Sequence, residues 1–176
     1  MGILDIFGFE NLPTNSFEQL CLNTASEQIN LLYNKIVLNW DKQEYALEGI
    51  PYFDLMENFG QNSENCLDLL LSKPLGIFSI LDEEIKIPKA GNEHFMEKLN
   101  SNFQDSKIYC QNDENNNKNL FEIKHFAGKI IYDCNGFIGK KHTCPKNIGT
   151  VHSLSKKIAS TRSNITPIIY FGIIYF

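Results

Sequence analysis

The sequence lacks the features that carry a chain into or across a membrane, and it also lacks paired cysteines. Its 176 residues contain no apolar run of about 18, the length that a spanning helix needs, and Met1 is not followed by a basic and then an apolar stretch. The five cysteines are scattered and include no C-x-x-C pair, which argues against a zinc site or a redox dithiol. We therefore expect no transmembrane segment and a reducing, cytoplasmic location.

Complete metal-binding and phosphate-binding motifs are absent as well. The histidines are neither paired at ligand spacing nor set beside cysteines in a usual zinc pattern: His94, His125, His142 and His152. A phosphate loop has the pattern G-x-x-x-x-G-K-[ST], but residues 136–141 place the first glycine only three residues before Gly139 and have Lys141 where Ser or Thr is required. Metal binding is not favoured, and no nucleotide site can be completed from this chain alone.

Charge is distributed unevenly along the chain. The net charge is −5, but residues 1–117 carry 7 basic and 19 acidic side chains, whereas residues 118–176 carry 9 and 2. A basic C-terminal third can meet an acidic partner, such as nucleic acid, a membrane or an acidic protein, or it can form the solvated face of a folded domain. We favour the solvated face and expect no nucleic-acid partner.

What the sequence does contain is enough apolar material for the core of one domain, with 43% hydrophobic and 12% aromatic residues. Its clearest element is a long amphipathic helix. Ser16 and Gln19 form a capping-box signature, and Gly49 and Pro51 are stop signals. Between them apolar residues recur at spacings of three and four: Phe17, Leu20, Cys21, Ala25, Ile29, Leu32 and Ile36. The pattern predicts a helix from Ser16 to about Tyr45, roughly 45 Å long at 1.5 Å per residue.

Shorter elements follow, and together they indicate an α+β fold that is mostly helical. Residues 66–71 and 77–84 predict a helix-turn-helix interrupted by Pro74 and Gly76, with the acidic residues 82–84 as a solvated helix face. Residues 92–103 predict another helix, and the polar residues 111–119 predict a surface loop. Residues 121–126 and 129–132 predict a β-hairpin, residues 2–9 the end of a buried strand, and residues 145–163 a weak helix.

One local pattern points to phosphate chemistry. Asp5 and Gly8 form a D-x-x-G pattern at the predicted end of a strand. This spacing lets a carboxylate reach the shell of a magnesium ion while the backbone N–H of the glycine approaches a terminal phosphate. The pattern is short enough to arise by chance, so it is informative only together with its context.

That context closely resembles the myosin motor domain. The resemblance begins with Leu4-Asp-Ile-Phe-Gly-Phe-Glu10, Asn15-Ser-Phe-Glu-Gln-Leu-Cys21 and Asn23-Thr-Ala-Ser-Glu-Gln28. It continues, in the order and spacing of the family, through Glu44-Tyr45, Glu48-Gly-Ile50, Lys73-Pro-Leu-Gly-Ile-Phe-Ser-Ile-Leu-Asp-Glu-Glu84, Pro88-Lys-Ala90, His125-Phe-Ala-Gly128 and Tyr132-Asp133. It covers roughly residues 3–160 and implies a fragment of a P-loop NTPase motor.

The resemblance implies a role for each matching segment. Residues 5–10 are similar to switch II, in which Asp5 would lie in the second shell of Mg²⁺, Gly8 would donate its N–H to the γ-phosphate of ATP, and Glu10 would pair with a switch I arginine. Residues 16–45 are similar to the relay helix, which transmits the state of switch II to the converter and lever. The turn that contains Pro74, Leu75, Gly76 and Ile77 is similar to the actin-binding helix-turn-helix, so we expect an exposed apolar patch at Leu75 and Ile77 that contacts the actin filament.

The resemblance also sets expectations about completeness. The family's P-loop and switch I precede switch II, and its converter and lever follow, so we expect residues 1–164 to be part of a motor domain that cannot hydrolyse ATP by itself. Tyr52 stands where the family usually has Trp, residues 138–142 depart from its pattern, and the apolar residues 165–176 match nothing in it. The expected setting is the cytoskeleton, with the remainder of the motor and lever as partners. Two alternatives stay open, a non-catalytic actin-binding module and an inert truncated product.

Overall fold

The computed structural model describes residues 8–35, 39–50, 61–87, 91–111 and 118–139. Their elements are, in chain order, α1 (Phe17–Tyr33), α2 (Asn39–Leu47), α3 (Gln61–Leu71), α4 (Ile77–Glu84), α5 (Asn92–Phe103), β1 (Tyr109–Gln111), β2 (Leu120–His125) and β3 (Gly128–Asp133). The predictions for residues 2–7, 112–117, 145–163 and 165–176 lie outside the described residues, and so does Asp5. No helix in the described part of the chain is both long enough and apolar enough to cross a membrane.

The predicted long helix corresponds to α1 and α2. The capping box at Ser16 and Gln19 is present, and the backbone N–H of Ser16 donates to Gln19 Oε1 at 3.0 Å. The regular α-helix α1 ends at Tyr33, a π-helical turn follows at Asn34 and Lys35, and α2 begins at Asn39, with residues 36–38 outside the described part of the chain. The described residues are therefore helical over most of the predicted range, and the π-helical turn is a local departure that the sequence did not predict. In a π-helical turn the backbone hydrogen bonds depart from the i to i−4 pattern of the α-helix. Local side-chain packing can impose such a turn, and an apolar repeat in the sequence does not reveal it.

The small sheet is antiparallel with the order β1-β2-β3. The predicted hairpin is confirmed: Phe121 pairs with Tyr132, and His125 pairs with Gly128 across the turn. Gly128 has φ 145°, in the region that favours glycine. Strand β1 was not predicted, and its last residue, Gln111, belongs to the polar stretch 111–119 that indicated a loop, so the loop prediction is wrong at Gln111.

The core lies between the helices and one face of the sheet. Helix α1 packs on α3 and β3, α3 packs on α4 and β2, and α5 packs on α4 and β1. Phe137, which starts a helical segment after β3, is fully buried in the core. Its ring centroid lies 5.6 Å from that of Phe17 in α1, 6.1 Å from that of Phe121 in β2 and 6.4 Å from that of Phe95 in α5. One aromatic side chain therefore joins two helices and the sheet.

The segment before α1 runs beside β3 and fixes the start of the helix. Asn15 is buried and forms a parallel bridge with Tyr132. The backbone N–H of Asp133 donates to the Asn15 carbonyl at 2.8 Å, and Asn15 Nδ2 donates to the Ile131 carbonyl at 3.0 Å. Residues 8–16 are thereby held between the sheet and α1.

Candidate functional site

The predicted phosphate-facing residues that the structure describes, Gly8 and Glu10, lie directly before the N-terminus of α1. Gly8 is exposed, and a Cβ atom built on it would meet no atom of the described residues within 4 Å. Open space at this glycine lets a group of another molecule approach its backbone closely. Asp5 lies outside the described residues, so its predicted place beside Gly8 stays a prediction.

Glu10 is fastened to α1 by two side chains. Its backbone N–H donates to Asn23 Oδ1 at 2.8 Å, and its carbonyl accepts a hydrogen bond from Asn23 Nδ2 at 2.8 Å. Its carboxylate Oε2 accepts a hydrogen bond from Gln19 Nε2 at 3.1 Å. Because Gln19 is also the capping-box residue, the same side chain stabilises the start of α1 and holds the Glu10 carboxylate. Glu10 therefore cannot move relative to α1 without breaking several hydrogen bonds.

A buried chain of hydrogen bonds continues from Asn23 into the sheet. Asn23 Nδ2 lies 2.8 Å from the hydroxyl of Tyr132 in β3, and that hydroxyl lies 2.9 Å from His125 Nε2 at the end of β2. His125 Nδ1 lies 3.0 Å from Oε2 of Glu27, and the backbone N–H of Phe126 donates to the same oxygen at 3.1 Å. Burial raises the pKa of the Tyr132 hydroxyl. Tyr132 therefore keeps its proton at neutral pH.

The sequence analysis did not predict this chain of hydrogen bonds. Its members come from α1, β2 and β3, and the pair Glu27 and His125 is separated by 98 residues. A signal existed on α1, where the buried face continues from Leu20 to Asn23 and Glu27, both fully buried. Polar side chains on the apolar stripe of a helix need partners inside the core.

Three of the buried groups also form a cluster with the composition of a metal site. One ligand atom each from Glu27, Cys66 and His125 lies within 4.8 Å of the others, and Cys66 Sγ is 3.6 Å from His125 Nδ1. Burial, followed by the nearby Glu27 carboxylate, raises the pKa of the Cys66 thiol. The thiol therefore stays protonated at neutral pH, and Nδ1 faces a carboxylate at hydrogen-bonding distance. The three side chains are therefore explained as a hydrogen-bonded set rather than as metal ligands. Their spacing in the sequence did not indicate that they lie together.

Phe9 packs on the hairpin turn between β2 and β3. Its ring centroid lies 5.4 Å from those of His125 and Phe126, both in edge-on geometry. Such pairs contribute about 0.5–1.5 kcal/mol beyond the area they bury. The segment with Gly8 and Glu10 is therefore in contact with the hairpin turn as well as with α1.

In the turn between α3 and α4, the four residues predicted to contact actin differ in their exposure to solvent. Pro74 and Leu75 are exposed, Leu75 with 55% of its surface accessible. Ile77 is fully buried, so the expectation that it shares an exposed patch with Leu75 is wrong. The physical reason is its place in α4, where it starts the buried stripe that continues with Ile80 and Leu81.

Gly76 is required at this turn for steric reasons. Its φ of −68° suits any residue, but a Cβ atom here would lie 2.5 Å from the Ser72 carbonyl oxygen and 2.7 Å from the Ser72 nitrogen. Its N–H donates to the same carbonyl at 2.8 Å. The close approach of two backbone segments shapes the turn that exposes Leu75.

The sequence suggested that the acidic residues 82–84 at the end of α4 form a solvated face. In the structure only two of the three are exposed. Asp82 and Glu83 are exposed, but the Glu84 side chain is fully buried, 2.7 Å from Lys98 Nζ and 2.7 Å from His94 Nδ1. Desolvation tends to raise the pKa of the Glu84 carboxyl, but the hydrogen bonds from Lys98 and His94 outweigh it and hold that pKa below its usual range. Glu84 therefore joins α4 to α5 as a carboxylate.

Comparisons with known proteins agree with the resemblance drawn from the motifs. The sequence model of the family Myosin head (motor domain) matches residues 1–165. The chain is 38% identical over 157 residues to Myosin-I heavy chain of Dictyostelium discoideum, covering 89% of this chain and 6% of that protein. It is 40% identical over 149 residues to human Myosin-IIIa, covering 84% of this chain and 9% of that protein. It is also 37% identical over 140 residues to Myosin-2 of Arabidopsis thaliana, covering 80% of this chain and 11% of that protein.

The matched region therefore spans only a small part of the length of these relatives, while it takes up most of this chain. The family match extends beyond every element that the structure describes, from the segment with Gly8 and Glu10 to the turn at Phe137. The chain belongs to the myosin head (motor domain) family.

Proposed function

We propose that this chain forms part of an actin-based, ATP-driven motor in the cytoskeleton, in which it supplies one wall of the ATP site and an actin-binding surface. Family membership supports the motor assignment. In this proposal Gly8 donates its N–H to the γ-phosphate, Asp5 lies in the second shell of Mg²⁺, and Glu10 pairs with an arginine of the same motor outside this chain. The open space at Gly8 fits the approach of a phosphate.

The observation that carries the proposal is the attachment of Glu10 to α1. A nucleotide-sensing loop is useful to a motor only if its displacement is transmitted to a stiff element. Asn23 holds the N–H and the carbonyl of Glu10 at 2.8 Å each, and Gln19 holds its carboxylate at 3.1 Å. Because these contacts involve the first two turns of α1, a shift of Glu10 would pull on the foot of the helix.

One wall of a nucleotide site does not make a catalyst. Phosphoryl transfer requires phosphate clamps, a magnesium ion and a positioned nucleophile, and MgATP would bring only the metal and the reacting phosphate. The chain contains no G-x-x-x-x-G-K-[ST] sequence. We therefore expect purified chain to show no ATP turnover above background, and turnover that depends on Gly8 would contradict the division of roles proposed here.

The actin-binding part of the proposal rests on the α3–α4 turn. Leu75 is exposed beside Pro74 and the basic Lys73, while Gly76 and Ile77 are buried beneath them. An apolar side chain held up by a rigid base and flanked by charge is suited to a reversible protein contact. In this arrangement Leu75 makes the contact with actin, and Ile77 anchors the turn to the core.

Co-sedimentation with filamentous actin tests this surface. We expect the chain to pellet with actin at low salt, less so at high salt, and Leu75→Asp to weaken binding by about tenfold or more, since an interfacial anchor contributes about 2 kcal/mol. The matched control is Leu47→Asp, an equally drastic change at a leucine on α2 that is 87% exposed. If both variants pelleted with actin to the same extent as wild type, or if wild type did not bind at low salt, the proposed actin-binding surface would be wrong.

A further inference from the structure

The backbone of Glu10 fixes the orientation of the Asn23 amide. The two ends of an asparagine amide are chemically distinct, since its oxygen only accepts and its nitrogen only donates hydrogen bonds. Here one end meets a backbone N–H and the other a backbone carbonyl, both of Glu10 and both at 2.8 Å. The reverse orientation would oppose oxygen to oxygen and N–H to N–H. Asn23 Oδ1 therefore faces the Glu10 N–H, and Asn23 Nδ2 faces its carbonyl.

This orientation determines the direction of the next hydrogen bond. The nitrogen Nδ2 has two protons and no acceptor capacity, and its second neighbour is the Tyr132 hydroxyl at 2.8 Å. Tyr132 must accept that bond. Its own proton is then directed to its other neighbour, His125 Nε2 at 2.9 Å. Asn23, Tyr132 and His125 are all buried, so these hydrogen bonds take the place of those that their polar groups would form with water in the unfolded chain.

The direction at Tyr132 in turn assigns the proton on His125. A ring nitrogen that accepts a hydrogen bond has no proton, so Nε2 is bare and the proton of the neutral ring lies on Nδ1. Nδ1 lies 3.0 Å from Glu27 Oε2, an acceptor. The hydrogen bonds of this chain therefore all run in one direction, from Asn23 through Tyr132 and His125 to Oε2 of Glu27, while Oε1 of Glu27 is buried without a hydrogen-bond partner among the described residues.

We propose that Asn23 is a positioning residue that links Glu10 to His125, so that the Nδ1–H tautomer of His125 reports Glu10 seated on α1. When Glu10 leaves α1, the Asn23 amide is no longer held by a backbone N–H and carbonyl, and the direction of the chain is no longer enforced. The hairpin and Glu27 of α1 then sense the same movement that Glu10 undergoes. The importance of that movement rests on the proposed function, but the tautomer itself does not.

The same argument decides against a metal ion at Glu27, Cys66 and His125. A metal on Nδ1 would place the ring proton on Nε2, directed at the Tyr132 hydroxyl. That hydroxyl already accepts a hydrogen bond from Asn23, so its own proton would have no acceptor among the members of this hydrogen-bond chain, and an unpaired buried donor is unfavourable. Seating of Glu10 and metal binding at Nδ1 are therefore opposed.

The test is the nitrogen-15 spectrum of the histidine rings in the purified, isotope-labelled chain at neutral pH. His125 is assigned by comparison with His125→Gln. We expect Nε2 of His125 to resonate as an unprotonated nitrogen and Nδ1 as a protonated one. The opposite pattern, with a protonated Nε2, would overturn the proposal.

A nearly isosteric substitution at Asn23 should reverse the direction of the hydrogen bonds between this residue, Tyr132 and His125. In Asn23→Asp the new carboxylate can still accept from the Glu10 N–H, but it cannot donate to Tyr132. The Tyr132 hydroxyl then donates to the carboxylate, and we expect Nε2 of His125 to change from unprotonated to protonated. The control Asn30→Asp adds the same charge to the same helix at a residue that bonds to Asn34 and Ser63, and it should leave the His125 pattern unchanged.

Folding of each variant is checked from the dispersion of its backbone amide spectrum. If Asn23→Asp does not fold, Tyr132→Phe takes its place, because loss of the hydroxyl removes the donor to Nε2, and we expect the Nε2 resonance to leave its wild-type position. A folded Asn23→Asp or Tyr132→Phe variant with an unchanged His125 spectrum would overturn the proposal. Actin co-sedimentation of the same variants is independent of this readout, so a failure of the tautomer test and a failure of the proposed function are distinguishable.

Discussion

Substitution of Gly76 by alanine isolates one steric contact that shapes the exposed turn between α3 and α4. The added Cβ would lie 2.5 Å and 2.7 Å from the oxygen and nitrogen of Ser72 and 2.9 Å from the Leu70 oxygen. All three atoms belong to the backbone, so relief requires the end of α3 to move rather than a side chain to rotate. Such overpacking costs about 1–3 kcal/mol.

The displacement also weakens the hydrogen bond from the Gly76 N–H to the Ser72 carbonyl, which contributes about 1 kcal/mol. We therefore expect Gly76→Ala to lower the free energy of unfolding by about 3 kcal/mol in total. Backbone conformation adds nothing, because φ is −68° in the native turn.

The chain offers a matched control in Gly91→Ala. Gly91 is the N-cap of α5 as Gly76 is the N-cap of α4, its φ is also negative, and a Cβ atom there would meet nothing within 4 Å in the described part of the chain. Both substitutions share the small loss of a good N-cap residue, about 0.5–1 kcal/mol. Urea unfolding followed by far-UV circular dichroism measures both variants. Equal destabilisation by the two substitutions would refute the steric argument.

Three further predictions concern the core and the buried carboxylate. Phe137→Ala should lower the free energy of unfolding by about 3–5 kcal/mol in urea titrations, because it leaves a cavity between α1, α5 and β2, and a loss below 1 kcal/mol would show that the ring is not central. Lys98→Met should lower the free energy of unfolding because it removes a cation from the buried Glu84, whereas the exposed Lys107→Met should be nearly neutral, and equal values for the two variants would contradict the pairing. The stabilisation from Glu84 should be fully present above pH 4.5, its ordinary pKa, and decline as pH falls below that value through the lowered pKa of the folded state. The difference in stability between wild type and Glu84→Gln, measured from pH 7 to pH 3, should stay constant down to pH 4.5 and shrink below it, and a difference that stays constant down to pH 3 would argue against a carboxylate held by Lys98 and His94.

Local structure followed from the sequence where one physical signal dominated. An apolar repeat bounded by glycine and polar residues predicted α5 with the bounds Asn92–Phe103 that the structure has. Alternation around Ala127-Gly128 predicted the hairpin. Strand β1 escaped because its pairing with β2 depends on residues that lie apart in sequence, with Tyr109 opposite Ile123.

The site was predictable only in part, because its function depends on contacts between distant segments. Motif resemblance predicted roles for Gly8, Glu10 and the α3–α4 turn, but it did not show that Leu75 is exposed while Ile77 is buried. That outcome depends on the angle at which α4 leaves the turn. Burial of Glu84 was missed for a related reason, since a run of three acidic residues indicates a solvated face unless Lys98 and His94 of α5 are known to meet one of them.

The chain of Asn23, Tyr132, His125 and Glu27 shows the limit most clearly. Each residue taken alone is ordinary in its element, and only the packing of α1 on the sheet aligns donors with acceptors. A polar residue on the apolar stripe of a helix predicts that a partner exists, but not which one. Here the partners lie 98 to 109 residues further along the chain.

The attachment of Glu10 to α1 is the claim on which the motor assignment physically depends, and amide hydrogen exchange at Glu10 tests it most directly. The Glu10 N–H has a side chain, Asn23 Oδ1, as its acceptor. We predict that in the wild-type chain this amide exchanges at least tenfold more slowly than in Asn23→Ala, while Asn30→Ala leaves it protected. An amide at Glu10 that exchanges as fast in wild type as in Asn23→Ala would contradict the account.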